Sequence, residues 1–119
     1  MTADSTLLRI VDEGDLLEVR FATDTIVDEV SIQGIAGELQ ELARGRETPR
    51  CIINFSGVRH FSSAGLGMLV DLNTTVQERN GCMVLSDISD TIREVFKITK
   101  LDRVFDIEAT SAEARSNLG

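Results

Sequence analysis

The sequence predicts an α/β fold in which a small mixed β-sheet packs with about four helices. Two observations predict this class. Short apolar runs alternate along the chain with longer segments whose apolar residues recur every three or four positions, as in buried strands and amphipathic helices. The first two runs are separated only by a turn, which predicts an antiparallel hairpin. The later runs are separated by helices, which predicts parallel strands joined by right-handed crossovers.

The first half of the chain contains the hairpin, a helix and a central strand. Leu7–Val11 and Leu16–Phe21 form the hairpin, with Gly14 supplying the freedom that its turn requires. Asp28 is the predicted N-cap of the first helix, which ends near Gly45. The apolar stripe of this helix consists of Ile32, Ile35, Ala36, Leu39, Leu42 and Ala43. The run Cys51–Phe55 is apolar enough to be a strand covered on both faces.

The sequence of the second half of the chain predicts three more helices and two more strands. The stripe of the second helix consists of Leu66, Leu69, Leu72 and Val76, and Asn80-Gly81 ends that helix. A buried strand at 82–85 follows, and Ser89 caps a third helix that turns Ile92, Val95, Phe96 and Thr99 inward. A short strand at 104–107 and a terminal helix from Ser111 complete the chain.

Size and composition favour one cytoplasmic domain. The 119 residues are enough for one domain, 1–119, with its fold spanning about 7–118, and the 42% hydrophobic and 27% charged residues are typical of a soluble globular protein. Neither a secretion signal nor an apolar run long enough for a membrane span is present in the sequence. The net charge of −8 disfavours nucleic acid and anionic membranes as direct partners.

The cysteine and histidine content predicts no metal site, and we expect no cofactor. Cys51 and Cys82 lie in apolar strand-like runs, and we expect both to be buried free thiols. The chain has one histidine and no pair of cysteines at metal-binding spacing.

The stretch Phe61–Val70 is the most informative part of the sequence for function. Ser62 and Ser63 lie where a predicted strand ends and a helix begins. A hydroxyl there can cap the helix, and the exposed backbone amides of the helix N-terminus can hold phosphate. Gly65 and Gly67 lie in the first turns, where helix propensity alone would not place them. Either they let the helix pack closely on the sheet, or they leave the serines open to a docking partner.

This pattern resembles the STAS domain, the fold of bacterial anti-sigma factor antagonists and of the soluble tails of sulfate-type transporters. Many members carry the motif Asp-Ser-Ser-Gly-Leu-Gly after an apolar strand, and Ser62-Ser63-Ala64-Gly65-Leu66-Gly67 is similar to it. The segment 91–105 is similar to the penultimate helix of the family and to the step into its last strand. Asp28 resembles an aspartate in the loop before the first helix of the family.

The resemblance implies a protein-binding switch without catalytic residues of its own. In the family, the first serine of the pair is phosphorylated by an anti-sigma factor that is a serine kinase, and a phosphatase resets the domain. That serine matches Ser63, with Ser62 as the alternative acceptor. The predicted partner-binding residues are Asp28, Ser62, Ser63, Ala64, Gly65, Leu66, Gly67 and Met68. We expect the domain to be a monomer or a weak homodimer.

Two departures from the family motif keep an alternative open. Ser62 replaces the aspartate that usually precedes the acceptor, and Ala64 replaces the second serine. The alternative is a STAS scaffold or accessory subunit of a signalling or transporter complex that is never phosphorylated. A hydrolase built on Ser63, His60 and Asp87 is disfavoured, because the Gly-x-Ser-x-Gly elbow of such enzymes is absent.

Overall fold

The structure is a computed structural model that describes residues 2–4, 7–14 and 16–118. Its strands are β1 (Thr2–Asp4), β2 (Leu8–Asp12), β3 (Leu17–Phe21), β4 (Thr25–Ile26), β5 (Arg50–Asn54), β6 (His60–Phe61), β7 (Cys82–Ser86) and β8 (Asp106–Glu108). Its helices are α1 (Glu29–Arg44), α2 (Ser63–Glu78), α3 (Asp90–Ile98), a 3₁₀ turn (Leu101–Arg103) and α4 (Ser111–Leu118). None of the helices in these ranges is long and apolar enough to cross a lipid bilayer.

Six strands form one mixed sheet in the order β1-β2-β3-β5-β7-β8. The pairs β1-β2 and β2-β3 are antiparallel, and the remaining pairs are parallel. The predicted hairpin and the predicted parallel strands are therefore confirmed. Gly14 has a φ of +86° in the hairpin turn, and its amide donates to the Asp12 carboxylate at 2.9 Å.

The two faces of the sheet carry cores of very different size. Side chains that alternate along β2, β3, β5 and β7 pack against α1, α2 and α3 in the main core, which includes Leu17, Ile53 and Leu85. The opposite face carries a small cluster in which α4 places Ala114 against Ile52 and Val84. Helices therefore cover both faces of the sheet, but α4 supplies only one short layer.

Three aspects of the predicted elements need correction. Cys51 is buried, but Cys82 is exposed, since it opens β7 beyond the part of the sheet that α4 covers. Thr99 is exposed because it is the C-cap of α3 rather than part of its inner stripe. The last strand begins at Asp106, because the preceding residues form the 3₁₀ turn and leave Val104 exposed.

Candidate functional site

A short pair of parallel strands brings the starts of α1 and α2 together. Ile26 of β4 pairs with Phe61 of β6, and the Ser62 amide donates to the Ile26 carbonyl at 3.0 Å. Each strand is followed within a few residues by a helix N-cap, Asp28 for α1 and Ser62 for α2. Because the strands run in the same direction, the two N-caps lie side by side on one edge of the molecule.

Both N-cap side chains make the hydrogen bonds expected of them. The carboxylate of Asp28 accepts from the Ser31 amide at 2.9 Å, and this hydrogen bond lowers the pKa of Asp28. The Ser62 hydroxyl oxygen accepts from the Gly65 amide at 3.3 Å. The prediction that Asp28 caps the first helix is confirmed.

The two adjacent serines differ in their surroundings. Ser62 is partly buried, and its oxygen is engaged in the cap of α2. Ser63 is exposed as the first residue of α2, and its side chain forms no hydrogen bond with another described residue. Ser63 therefore presents a free hydroxyl at a helix N-terminus, where unpaired amides and the helix dipole favour an anion.

The two glycines of the motif, Gly65 and Gly67, have different surroundings. Gly65 is buried, and a Cβ atom at this position would come within 2.8 Å of the Phe61 ring. Gly67 is exposed, and a Cβ atom there would meet nothing within 4 Å. Gly67 lies four residues after Ser63, so both stand on the same outer face of α2. Close packing explains Gly65, whereas Gly67 leaves the surface beside Ser63 bare.

Not every predicted partner-binding residue reaches the surface. Ala64 is exposed beside Ser63, but Leu66 and Met68 are buried in the main core. Leu66 and Met68 are therefore not exposed to a partner at this surface, and a partner-binding role for them stays a prediction. Met68 extends the inner stripe of α2, where a flexible thioether fills space between helix and sheet.

Two exposed apolar residues beside the N-cap of α1 are absent from the predicted site. Val27 follows the strand residue whose carbonyl accepts from Ser62, and its side chain is 49% exposed. Val30, in the first turn of α1, is 81% exposed. The only sequence signal for Val30 is that it is an apolar residue lying off the inner stripe of its helix.

We define the docking face as Val27, Asp28, Val30, Ser63, Ala64 and Gly67, all of which are exposed. It combines two helix N-termini, a free hydroxyl and two isolated aliphatic side chains. Such a surface can bind a protein and can accept a phosphoryl group.

A buried polar network on the other face of the sheet supports the loop that leads to the docking face. Glu18 on β3 accepts from the Asn54 amide at 3.1 Å and from Arg115 on α4 at 2.9 Å. Asn54 in turn accepts from the Ser56 amide at 2.8 Å, which holds the start of the loop between β5 and β6. Burial raises the pKa of Glu18, but the hydrogen bonds from Asn54 and Arg115 outweigh it, and the net pKa is lowered.

The geometry does not assemble the other chemistries considered from the sequence. None of the hydrogen bonds in the described part of the chain joins the side chains of Ser63, His60 and Asp87. Among residues 2–4, 7–14 and 16–118, no three or more histidine, cysteine or acidic side chains come together as metal ligands would.

Comparison with known proteins gives a consistent result. The family model for the STAS domain matches residues 7–114. An anti-sigma-factor antagonist (STAS) domain protein from Planctomyces limnophilus is similar in structure, with a TM-score of 0.83, 23% identity, and coverage of 94% of this chain and 97% of that one.

The Bacillus cell fate determinant SpoIIAA is similar in two states. Its phosphorylated form gives a TM-score of 0.71 at 20% identity, covering 94% of this chain and 99% of that one. The unphosphorylated form of the anti-sigma factor antagonist SpoIIAA gives a TM-score of 0.69 at 19% identity, covering 92% of this chain and 96% of that one. At these identities the likeness establishes the fold.

Proposed function

The chain belongs to the STAS domain family, and on that premise we propose that it is an anti-sigma factor antagonist switched by phosphorylation of Ser63. In this proposal the unmodified domain binds an anti-sigma factor that is a serine kinase, and a sigma factor is released. We expect the proteins to meet in the cytoplasm, where ATP is available. A phosphatase then restores the unmodified domain.

The observation that carries the proposal is the difference between the two serines. Ser63 is exposed and free at the start of α2, whereas Ser62 is partly buried and caps the helix. A kinase must bring its nucleotide in line with the acceptor oxygen, so an exposed hydroxyl is far easier to reach. The geometry therefore favours Ser63 over Ser62 as the acceptor.

The docking face supports a protein partner in particular. Val30 is 81% exposed in the first turn of α1, and an aliphatic group so exposed gains free energy when a partner covers it. Gly67 allows the partner's backbone to approach α2 closely, since no side chain projects from that position. Both features favour a surface that a partner protein covers over one that stays exposed to solvent.

Phosphoryl transfer needs only the acceptor from this chain. The Ser63 oxygen forms a bond to the γ-phosphorus of ATP, the bond to the β-phosphate oxygen breaks, and ADP leaves. The hydroxyl proton passes to a base of the kinase, which also holds ATP and Mg²⁺. This chain supplies a hydroxyl at a helix N-terminus, where the product phosphate is tolerated.

The negative charge of the new phosphate would cause the complex to dissociate. It brings about −1.5 to −2 charges and three acceptor oxygens into an interface that otherwise contains Val27, Val30 and small residues. Changing occupancy from about 99% to about 1% requires on the order of 5.5 kcal/mol of differential affinity. Desolvation of a double charge within an interface reaches that magnitude.

Ser62 takes over one part of the role that an aspartate has in the family motif. Serine and aspartate both serve as N-caps, so the start of α2 is preserved without the carboxylate. The local charge beside Ser63 is then less negative by one unit. This departure is also the observation that favours a second candidate function, a STAS scaffold that binds its partner without phosphorylation.

The test uses every serine-kinase anti-sigma factor encoded in the same genome, each purified and mixed with the chain. Binding in the presence of ADP is measured by calorimetry, and phosphorylation in the presence of ATP is measured by mass spectrometry. We expect one kinase to bind the chain and to phosphorylate it, with Ser63→Ala abolishing phosphorylation and Ser62→Ala retaining it. Binding without phosphorylation would establish the scaffold instead, and no binding by any kinase would refute both the docking and the switch.

A further inference from the structure

The C-terminal two-thirds of α3 and the turn after it form a second exposed surface with unusual composition. We define the α3 end as Arg93, Lys97, Ile98, Lys100, Arg103 and Val104, all of which are exposed. Residues 93–103 contain four of the 12 basic residues of the chain, including both of its lysines. They contain only two acidic residues, so this segment has a net charge of +2 and the rest of the chain has a net charge of −10.

The four cations of the α3 end have no side-chain partners among the residues that the structure describes. In the described part of the chain, ion pairs form around Arg20, Arg46 and Arg115. The side chains of the four cations form neither an ion pair nor a hydrogen bond with any described residue. A concentration of unpaired positive charge in an acidic protein creates a local field that attracts carboxylates.

Apolar side chains accompany the charges. Ile98 is 79% exposed because it lies off the inner stripe that Ile92 and Phe96 form on α3. Val104 is 49% exposed at the end of the 3₁₀ turn that follows. Between α3 and β8 there is a cleft whose floor is Phe105 and Ile107. The rim of this cleft is formed by Arg93, Lys97 and Asp102.

From this combination we propose that the α3 end docks an acidic, amphipathic peptide segment of a partner protein. Carboxylates of the segment would lie against the four cations, and its apolar side chains would cover Ile98, Val104 and the cleft floor. Asp102 on the rim repels carboxylates placed next to it, so it restricts how the segment can be aligned.

The charge of the remaining surface decides between an acidic peptide and a longer polyanion. Nucleic acid and anionic membranes extend far beyond the α3 end and would meet the −10 of the rest of the chain. A short peptide stays within about 10 Å of the four cations, the distance over which salt leaves their field effective. The exposed aliphatic groups also fit a peptide better than a phosphate backbone.

The α3 end is separate from the docking face. The loop after β5 leads to Ser63 at the carboxyl edge of the parallel strands, whereas the turn at 99–105 precedes β8 and lies towards the amino edge. A partner at the α3 end therefore leaves Ser63 accessible. The proposal goes beyond the phosphorylation switch and does not depend on it.

Fluorescence anisotropy with a short fluorescein-labelled peptide of glutamate and leucine residues tests the proposal. We expect saturable binding that weakens as salt is raised, with Lys97→Glu raising the Kd by about fivefold or more. Arg44→Glu is the matched control, since it makes the same charge change at an exposed position on α1. We expect that control to change the Kd by less than about twofold.

Two further measurements use features of this chain. Replacing the exposed aliphatic group in Ile98→Ser should raise the Kd by about threefold or more without loss of folding, checked by circular dichroism. Carbodiimide cross-linking should join the peptide to Lys97 or Lys100, the only lysines in the chain.

Several results would overturn the proposal. These are absence of binding, equal weakening by Lys97→Glu and Arg44→Glu, or cross-links confined to the N-terminal amine. Self-association of the chain that Lys97→Glu abolishes would assign the α3 end to a second copy instead of an acidic partner.

Discussion

Replacing Gly67 with alanine should stabilise the domain and weaken its docking. Gly67 lies inside α2, where glycine costs about 1 kcal/mol relative to alanine because its backbone loses more conformational freedom. The space around it is open, so the added methyl group meets nothing within 4 Å. We therefore expect Gly67→Ala to raise the free energy of unfolding by about 1 kcal/mol and Tm by about 3–6 °C.

Gly65→Ala provides a matched comparison two residues away in the same helix. Its methyl group would come within 2.8 Å of the Phe61 ring, which packs against Phe55 at a centroid distance of 5.2 Å. Displacing that ring costs about 1–3 kcal/mol, which outweighs the same gain in helix propensity. Gly65→Ala should therefore destabilise the domain by up to about 2 kcal/mol.

Urea denaturation followed by circular dichroism measures both variants against the parent chain. We expect Gly67→Ala to raise the free energy of unfolding and Gly65→Ala to lower it. Equal destabilisation by the two substitutions would show that Gly67 is needed for packing, and would remove it from the docking face. If Gly67→Ala stabilises the domain as predicted, the same variant should bind the anti-sigma kinase more weakly, because its methyl group holds the partner away from α2.

Three other substitutions or reactions test separate parts of the structure. Glu18→Gln should lower the free energy of unfolding by about 1–3 kcal/mol at pH 7. Because folding lowers the pKa of Glu18, this difference in stability should be present above the pKa of the carboxyl in the unfolded chain. It should disappear as pH falls through the lower pKa of the folded state. Urea denaturation at several pH values measures this, and a difference that stays constant with pH would contradict a stabilising role for the ionised Glu18. Ser62→Ala should cost about 1 kcal/mol through loss of the cap, measured in the same way, whereas Ser63→Ala should cost less than about 0.5 kcal/mol. Cys82 should react with a thiol reagent in the native protein. Burial raises the pKa of Cys51 to about 11, so Cys51 should react only on unfolding. Reaction of both thiols at the same rate would show that Cys51 is accessible.

The elements that the sequence predicts correctly are those with a strong local signal. Asp28, Ser62 and Ser89 each accept a hydrogen bond from a backbone amide at the start of a helix, as their residue types and positions imply. The spacing of Ile32, Ile35 and the later stripe residues also places α1 against the sheet. These features depend on neighbours within a few positions along the chain.

The features that the sequence does not predict depend on contacts between distant segments. The two-residue strands β4 and β6 are too short to show an alternating pattern, although their pairing brings the two N-caps together. Glu18 alternates with apolar residues as an outward-facing position should, but Arg115, 97 positions later in the chain, covers it. Whether a residue on an outer sheet face is buried depends on where α4 lies.

The same limit applies to the candidate site. The motif identifies Ser62 and Ser63, but only the backbone geometry distinguishes the capping hydroxyl from the free one. The helical period alone does not show that Met68 belongs to the core, because a residue at the margin of a stripe can face either way. The exposed Val27 lies close to the start of α2 because β4 pairs with β6.

The most direct test of the proposed switch is the mass of the protein purified from its native cells, with tandem mass spectrometry of the peptide that contains Ser62 and Ser63. The proposal predicts a fraction of molecules carrying one phosphate, located on Ser63. A phosphate on Ser62 would contradict the assignment of Ser62 as the cap and Ser63 as the acceptor. Absence of phosphate under every growth condition, with partners still bound, would contradict the switch.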